Sequence, residues 1–174
     1  AVMPHLHLAV QSGSTRVLKE MNRRYTREQY IDLVRSIREK ITGIALTTDI
    51  IVGFPGETEE DFFNPFIAEE VRYAHAFTFI YSKREGTPAA KIDDPTPHDV
   101  ILDRFNRLVS VIETTAHEFN QGQLHTTVPA LIEGTSKKDD CMLQGKSPWN
   151  QTVHAPLPEG AASIPTSVRS SMSM

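Results

Sequence analysis

Thr47-Thr48-Asp49-Ile50-Ile51-Val52-Gly53-Phe54-Pro55-Gly56-Glu57-Thr58 decides the fold class of this chain. The β-branched run Ile50, Ile51, Val52 predicts a strand covered on both faces, as in parallel sheets. Gly53 and Gly56 accept backbone angles closed to other residues and Pro55 fixes one φ, so the strand ends in a sharp turn. Thr58 is then placed to cap a helix whose first residues, Glu59, Glu60 and Asp61, complement the helix dipole. Asp49 therefore lies on a strand that ends at a strand–helix turn, where α/β folds collect their ligands.

The same alternation extends in both directions. His5-Leu6-His7-Leu8-Ala9-Val10 predicts a strand, and Ser14 caps a helix that runs to about Asn22. Thr26 with Gln29 predicts a capping box for a second helix. Tyr30, Val34, Ile37 and Ile41 recur on one face of it, and Gly43 ends it. Downstream, residues 59–73 predict a helix in which Pro65 conflicts with an internal hydrogen bond. A strand over 76–81 follows. Thr96-Pro97-His98-Asp99 then opens a long helix that turns Leu102, Phe105, Leu108 or Val109, Ile112, Ala116 and Phe119 inward. Strands alternating with helices predict βαβ units and a parallel sheet over residues 1–121. Over 122–160 the period changes: Thr126–Ile132 and Gln151–His154 predict short strands around a turn-rich Gly134–Asp140 loop, a small β module. Residues 161–174, rich in Pro and Ser, predict a disordered tail.

With 39% hydrophobic and 23% charged residues among 174, the chain is globular in composition, and no apolar run is long enough to span a membrane. One cysteine, Cys141, excludes an internal disulfide framework and fits a reducing compartment, the cytoplasm. It also excludes any site that needs several cysteines from this chain. The net charge of −4 is unevenly spread: residues 16–40 hold eight Lys/Arg against four acids, and residues 49–70 hold seven acids with no Lys or Arg. Two explanations stand: solvated helix faces of opposite sign, or a ligand or RNA surface near the basic segment.

Several side chains could carry chemistry. His5 and His7 alternate on one strand and share a face, so with Asp49 they could ligate a metal, as in a metal-dependent hydrolase, or simply line the sheet. Gln11-Ser12-Gly13-Ser14 opens a helix and could hold an anionic group, or be a capped turn. Gly53–Glu57 lacks the Gly-Lys-Ser/Thr ending of a phosphate loop. Lys137 and Lys138, with Lys146 and Trp149, offer cations and a stacking ring for RNA, or an exposed polar loop.

Four motifs in order carry a resemblance: His5–Ser14, Met21–Glu28, the opening stretch, and Phe77–Ser82 with Glu85-Gly86-Thr87-Pro88-Ala89-Ala90. Together they resemble the radical S-adenosylmethionine (SAM) methylthiotransferases. Phe79–Ser82 and Glu133–Lys138 are most similar to the branch that methylthiolates isopentenyl-adenosine beside the anticodon of tRNA. The resemblance implies an α/β fold, the carboxyl-terminal half of a radical-SAM partial (βα) barrel followed by a small, incomplete β-barrel TRAM module that binds RNA. It implies SAM contacts from Gln11, Arg23, Asp49, Gly53, Tyr81 and Ser82, and tRNA contacts from Lys137, Lys138 and Lys146. It further implies SAM, two 4Fe-4S clusters, a sulfur donor and tRNA for a monomeric, cytoplasmic parent that forms 2-methylthio-N6-isopentenyladenosine. Related substrates in the family are threonylcarbamoyl-adenosine in tRNA and an aspartate of a ribosomal protein.

The departures matter equally. The family holds its clusters with two sets of three cysteines, and none of the six is present here. Ala9 and Lys83 stand where the family usually has proline. The chain therefore reads as a carboxyl-terminal fragment that is catalytically inert alone, with no catalytic residue and no metal ligand of its own.

Overall fold

A computed structural model describes residues 3–63, 67–93, 96–157 and 168–171. The chain divides into two compact units: Leu6–Phe119, and the described residues from Asn120 onward together with residues 3–5.

In the first unit, strand β1 (His5–His7) leads to helices α1 (Thr15–Glu20) and α2 (Arg27–Lys40), strand β2 (Ala45–Val52), short helices α3 (Glu59–Phe63) and α4 (Ile67–Val71), strand β3 (His75–Ile80) and helix α5 (His98–Gln121). The sheet order is β1-β2-β3, and β2 runs parallel to β3 with Asp49 opposite Phe77 and Val52 opposite Ile80. The caps are those the sequence encodes. The Ser14 side chain accepts from Val17 N–H, and Thr26 and Gln29 form the reciprocal box that starts α2.

Tyr30, Ile31 and Val34 of α2, Ile67, Ala68 and Val71 of α4, and Leu108 and Ile112 of α5 pack on Leu46, Ile50, Val52 and Ala76 of the sheet. Tyr73 O–H donates to Tyr30 Oη (3.0 Å), and Tyr30 O–H donates to Leu8 O (2.8 Å), so the two buried phenols are satisfied through this core. The other sheet face is not covered as expected. There Thr47, Asp49 and Ile51 are half-buried while His75, Phe77 and Phe79 are exposed. β2 thus alternates instead of being buried on both faces.

Other expectations shift in detail. The first strand ends at His7, because Val10 N–H turns to Thr48 Oγ1 (2.9 Å) and Gln11 takes a positive φ of 70°. Ile41 lies past the last helical residue and is exposed. The 59–73 helix is seen as α3 and α4, and Pro65 lies outside the described residues. On α5 the buried stripe is Arg104, Leu108, Ile112 and Thr115, which leaves Leu102 exposed. Arginine takes an inward position because acids meet it there. Its Nε donates to Glu59 Oε2 (2.9 Å), one terminal nitrogen donates to Glu57 O (3.0 Å), and that nitrogen lies 3.7 Å from Glu57 Oε2.

The second unit is a four-stranded sheet, order β6-β5-β4-β7, with β4 at Thr127–Ser136, β5 at Asp139–Lys146, β6 at Thr152–Pro156 and β7 at Val168–Ser171. Its antiparallel ladders enclose Ala130, Ile132, Leu143 and Val153. Most of the expected Gly134–Asp140 loop is strand and hairpin, and the strand expected at Gln151–His154 runs from Thr152 to Pro156. Within the expected disordered tail, Val168–Ser171 pairs antiparallel with Thr127–Ala130. Gly145 is fixed by close approach, since a Cβ there would lie 2.3 Å from Leu131 O.

Burial pushes the Glu57 carboxyl from 4.5 up to about 7, against the Gly53 N–H and the Arg104 guanidinium that pull it down. Folding therefore takes up a proton between those values, and stability falls as pH rises through that window. Glu57→Gln keeps an acceptor for Gly53 N–H but does not titrate. Denaturation followed by circular dichroism should show the wild type losing roughly 2–3 kcal/mol of stability across that window, and the variant losing far less.

Candidate functional site

Three strand ends meet at the carboxyl edge of the sheet. Gln11 N–H donates to Asp49 O (2.9 Å) and Ile51 N–H to Gln11 O (2.8 Å), a parallel bridge that continues the sheet beyond β1. On the other side Tyr81 N–H donates to Val52 O (2.8 Å). Backbone hydrogen bonds thus tie Gln11 to Asp49 and Ile51 on one edge of β2, and Tyr81 to Val52, the residue before Gly53, on the other. Gly53 has a φ of 72°, and a Cβ there would meet Ile101 Cγ2 at 2.8 Å, so only glycine makes this turn. Its N–H donates to the buried Glu57 carboxylate (2.8 Å).

The side chains divide into those the site gathers and those it does not. Tyr81 stands edge-on to Phe54 (5.3 Å between ring centroids), and its hydroxyl is buried with no hydrogen-bond partner among the described residues. A buried orphan hydroxyl beside a strand-end turn suits a polar ligand group. Asp49 Oδ2 lies 3.4 Å from His7 Nε2, while His7 Nδ1 is 3.1 Å from Thr47 Oγ1. Arg23 is exposed in the turn between α1 and α2, and Ser82 is exposed just past β3.

The metal arrangement is not formed. His7 and Asp49 do meet, but among the described residues no group of three His, Cys, Asp or Glu could hold a metal ion. Instead, both ring nitrogens of His7 face side chains of β2, which ties the imidazole to the sheet face.

Two acids beside the turn were not singled out by the sequence reading, and both organise the site. Glu57 holds Gly53 and meets Arg104. Asp61 gathers more partners than any other acid described. Its Oδ1 accepts from Ser14 O–H (2.7 Å), and its Oδ2 accepts from Thr58 N–H (3.0 Å) and Thr58 O–H (2.6 Å). Arg16 Nε lies 3.2 Å from both oxygens, and the same guanidinium donates to Gly56 O (2.6 Å). Burial alone would raise the Asp61 carboxyl, but hydrogen bonds from Arg16, Thr58 and Ser14 outweigh it and hold the group well below the usual carboxylate range. The spacing Thr58-x-x-Asp61, a capping box with a short acid, was the available signal.

In the second unit Lys137 and Lys138 are exposed at the β4–β5 hairpin, whereas Lys146 is half-buried at the far end of β5, its Nζ donating to Thr152 Oγ1 (2.9 Å). About eight strand residues separate them, roughly 25 Å, so the three lysines do not form one cluster.

The radical SAM superfamily profile matches residues 1–64. A solved structure, coproporphyrinogen III oxidase (HemN) from Escherichia coli, described as a radical SAM enzyme, superposes with a TM-score of 0.53 over 64% of this chain and 27% of that one, at 24% identity. That likeness supports a radical SAM fold for the piece it covers. The tRNA-2-methylthio-N(6)-dimethylallyladenosine synthase of Acetivibrio thermocellus is 53% identical over 154 residues, 88% of this chain and 32% of that protein. Those of Clostridium tetani (52%, covering 86% and 33%) and Acidothermus cellulolyticus (49%, covering 88% and 32%) are similar. The chain thus spans about a third of the length of these relatives. With a radical SAM profile over its first part and such identity along most of its length, the chain is similar to the radical SAM methylthiotransferases.

Proposed function

We propose that this chain is the SAM-holding and RNA-binding portion of an enzyme that inserts sulfur into, and transfers a methyl group from SAM to, an N6-isopentenylated adenosine of tRNA. One observation carries the proposal. Gln11, Asp49, Gly53 and Tyr81, which the family resemblance assigns to SAM, lie around the carboxyl end of β2, with Gln11 tied to Asp49 and Tyr81 to Val52 by backbone hydrogen bonds, in a chain 53% identical over 154 residues to a synthase of that name. SAM supplies the methyl group when bound.

The residues present fit SAM. Asp49 presents a half-exposed carboxylate for ribose hydroxyls, a bidentate acceptor for two donors. The Gly53 turn lets an adenine approach the backbone, and Tyr81 contributes its orphan hydroxyl. Gln11 offers an amide to the methionine part, and exposed Arg23 offers a cation to its carboxylate. Ser82 adds a hydroxyl at the neighbouring strand end. The residues do not fit an iron–sulfur cluster: Cys141, exposed on β5, is the one cysteine of the 174 residues. No reaction step is therefore assigned to this chain, and a sulfur donor acts on the full-length enzyme.

The second unit is the RNA-binding module of the TRAM type in this proposal. Lys137 and Lys138 at the hairpin tip provide its main phosphate contacts, and Lys146 plays a lesser part because Thr152 already engages it.

Two outcomes follow. After anaerobic reconstitution with iron and sulfide, the 174-residue chain should carry no stoichiometric cluster by iron and sulfide assay; a full cluster per chain contradicts the ligand accounting. A tRNA anticodon stem-loop should bind the chain with salt-dependent affinity. The Lys137→Ala/Lys138→Ala pair should lower the log–log salt slope by about 2, and Lys146→Ala by less than 1. An unchanged slope in the pair removes the hairpin from the RNA surface.

A further inference from the structure

Asp61 belongs to α3, yet its hydrogen bonds reach away from that helix. They bind Ser14 and Arg16, which follow the Gln11 strand end by three and five residues, and Thr58, in the turn that starts at Gly53. Arg16 in turn donates to Gly56 O, closing a ring that joins the loop after β1 to the turn after β2. The two segments leave neighbouring strands, and the Gln11–Ile50 bridge lies at their root. Above that bridge, Asp61 with Arg16 is the polar cross-link between them. A cavity of about 20 Å³ at the junction, lined by Ser12, Gly13, Glu57, Asp61 and Phe62 among others, has room for about one water molecule.

An ordinary surface ion pair would contribute little here. Asp61 is different in two respects: its side chain is only 10% exposed, and it accepts from hydroxyl, amide and guanidinium donors at once. Such a hub fixes geometry, because every partner must hold its place for the carboxylate to remain satisfied.

We infer that Asp61 is a positioning residue that latches the Gln11–Ser14 loop to the Gly53–Thr58 turn and so sets the spacing of the two walls of the SAM pocket. The inference builds on the pocket assignment proposed above. It concerns residues that touch no ligand themselves, and it makes SAM affinity depend on an acid behind the site. Arg16 is the second half of the latch, and it can be removed without altering α3.

Amide hydrogen exchange and SAM titration on the 174-residue chain test it, with Asp61→Asn and Arg16→Met as separate variants. Loss of the charged hub should raise exchange about tenfold in residues 12–17 and 56–58, with β2 and β3 amides unchanged, and weaken SAM binding about tenfold. Both variants should move the same amides. Unchanged exchange in residues 12–17 overturns the latch, and so does a uniform rise through β2 and β3, which marks a purely global stabilising role. Loop exchange that rises while SAM affinity holds equally overturns the positioning role. If the wild-type chain shows no SAM affinity, the pocket assignment fails by that result, and the exchange measurement alone still decides whether Asp61 joins the two loops.

Discussion

A central strand of a parallel sheet must be paired on both edges, and β2 meets that demand with two short partners. β1 gives it only three residues before the chain bends, so the ladder resumes at Gln11 through a single bridge. β3 pairs along Thr47–Val52 and hands over to Tyr81. Parallel pairing then brings the outgoing segments to the same edge of the sheet. The site's composition follows from this constraint: an amide, a carboxylate, a glycine turn and a phenol arrive together because three strands end together.

The uneven charge of the sequence also finds an internal cause. The basic segment 16–40 and the acidic segment 49–70 meet each other. Arg16 pairs with Asp61, Arg27 with Glu70, and Arg104 from α5 sits between Glu57 and Glu59. Solvated faces and a ligand surface were the two explanations open from composition. Part of the answer is a third, ion pairs that clamp α1, α2 and α5 onto the acidic segment after β2. Only Arg16, Arg27 and Arg35 of the eight enter the ion pairs described; Lys19, Arg23, Arg24, Arg38 and Lys40 enter none of them.

Legibility followed the range of the interactions. The Thr26–Gln29 box, the Ser14 cap and the helix opened at Thr96-Pro97 are encoded within a few residues, and all were readable. Arg104 was not, because its inward position depends on acids more than forty residues away. That one substitution of charge for hydrocarbon moved the inner stripe of α5 and exposed Leu102. The β4–β5 hairpin was hidden by Gly134, Thr135 and Ser136, residues with loop composition held in a ladder. β7 was less legible still. Val168-Arg169-Ser170-Ser171 has no alternation to read, and its pairing with Thr127–Ala130 crosses some forty positions. At the site, residue types named the possible ligands of Asp49, while the acids that hold the turns had no distinguishing mark beyond Thr58-x-x-Asp61.

The forces that shape the pocket and the groups that would act in it are separable. Every hydrogen bond described here that fixes Gln11, Gly53 or Tyr81 comes from within Leu6–Phe119: Asp49 and Ile51 for Gln11, Glu57 for Gly53, Val52 for Tyr81. Such a wall is preorganised, and a ligand entering it does not have to order these groups itself. A reducing cluster makes the opposite demand, several thiolates converging on one point, and a single cysteine on β5 cannot meet it. On the proposed reading, this chain supplies binding geometry and not the thiolates of a cluster. On that reading, the run from Thr47 to Thr58, with Asp61 behind it, is the wall that these hydrogen bonds hold in place.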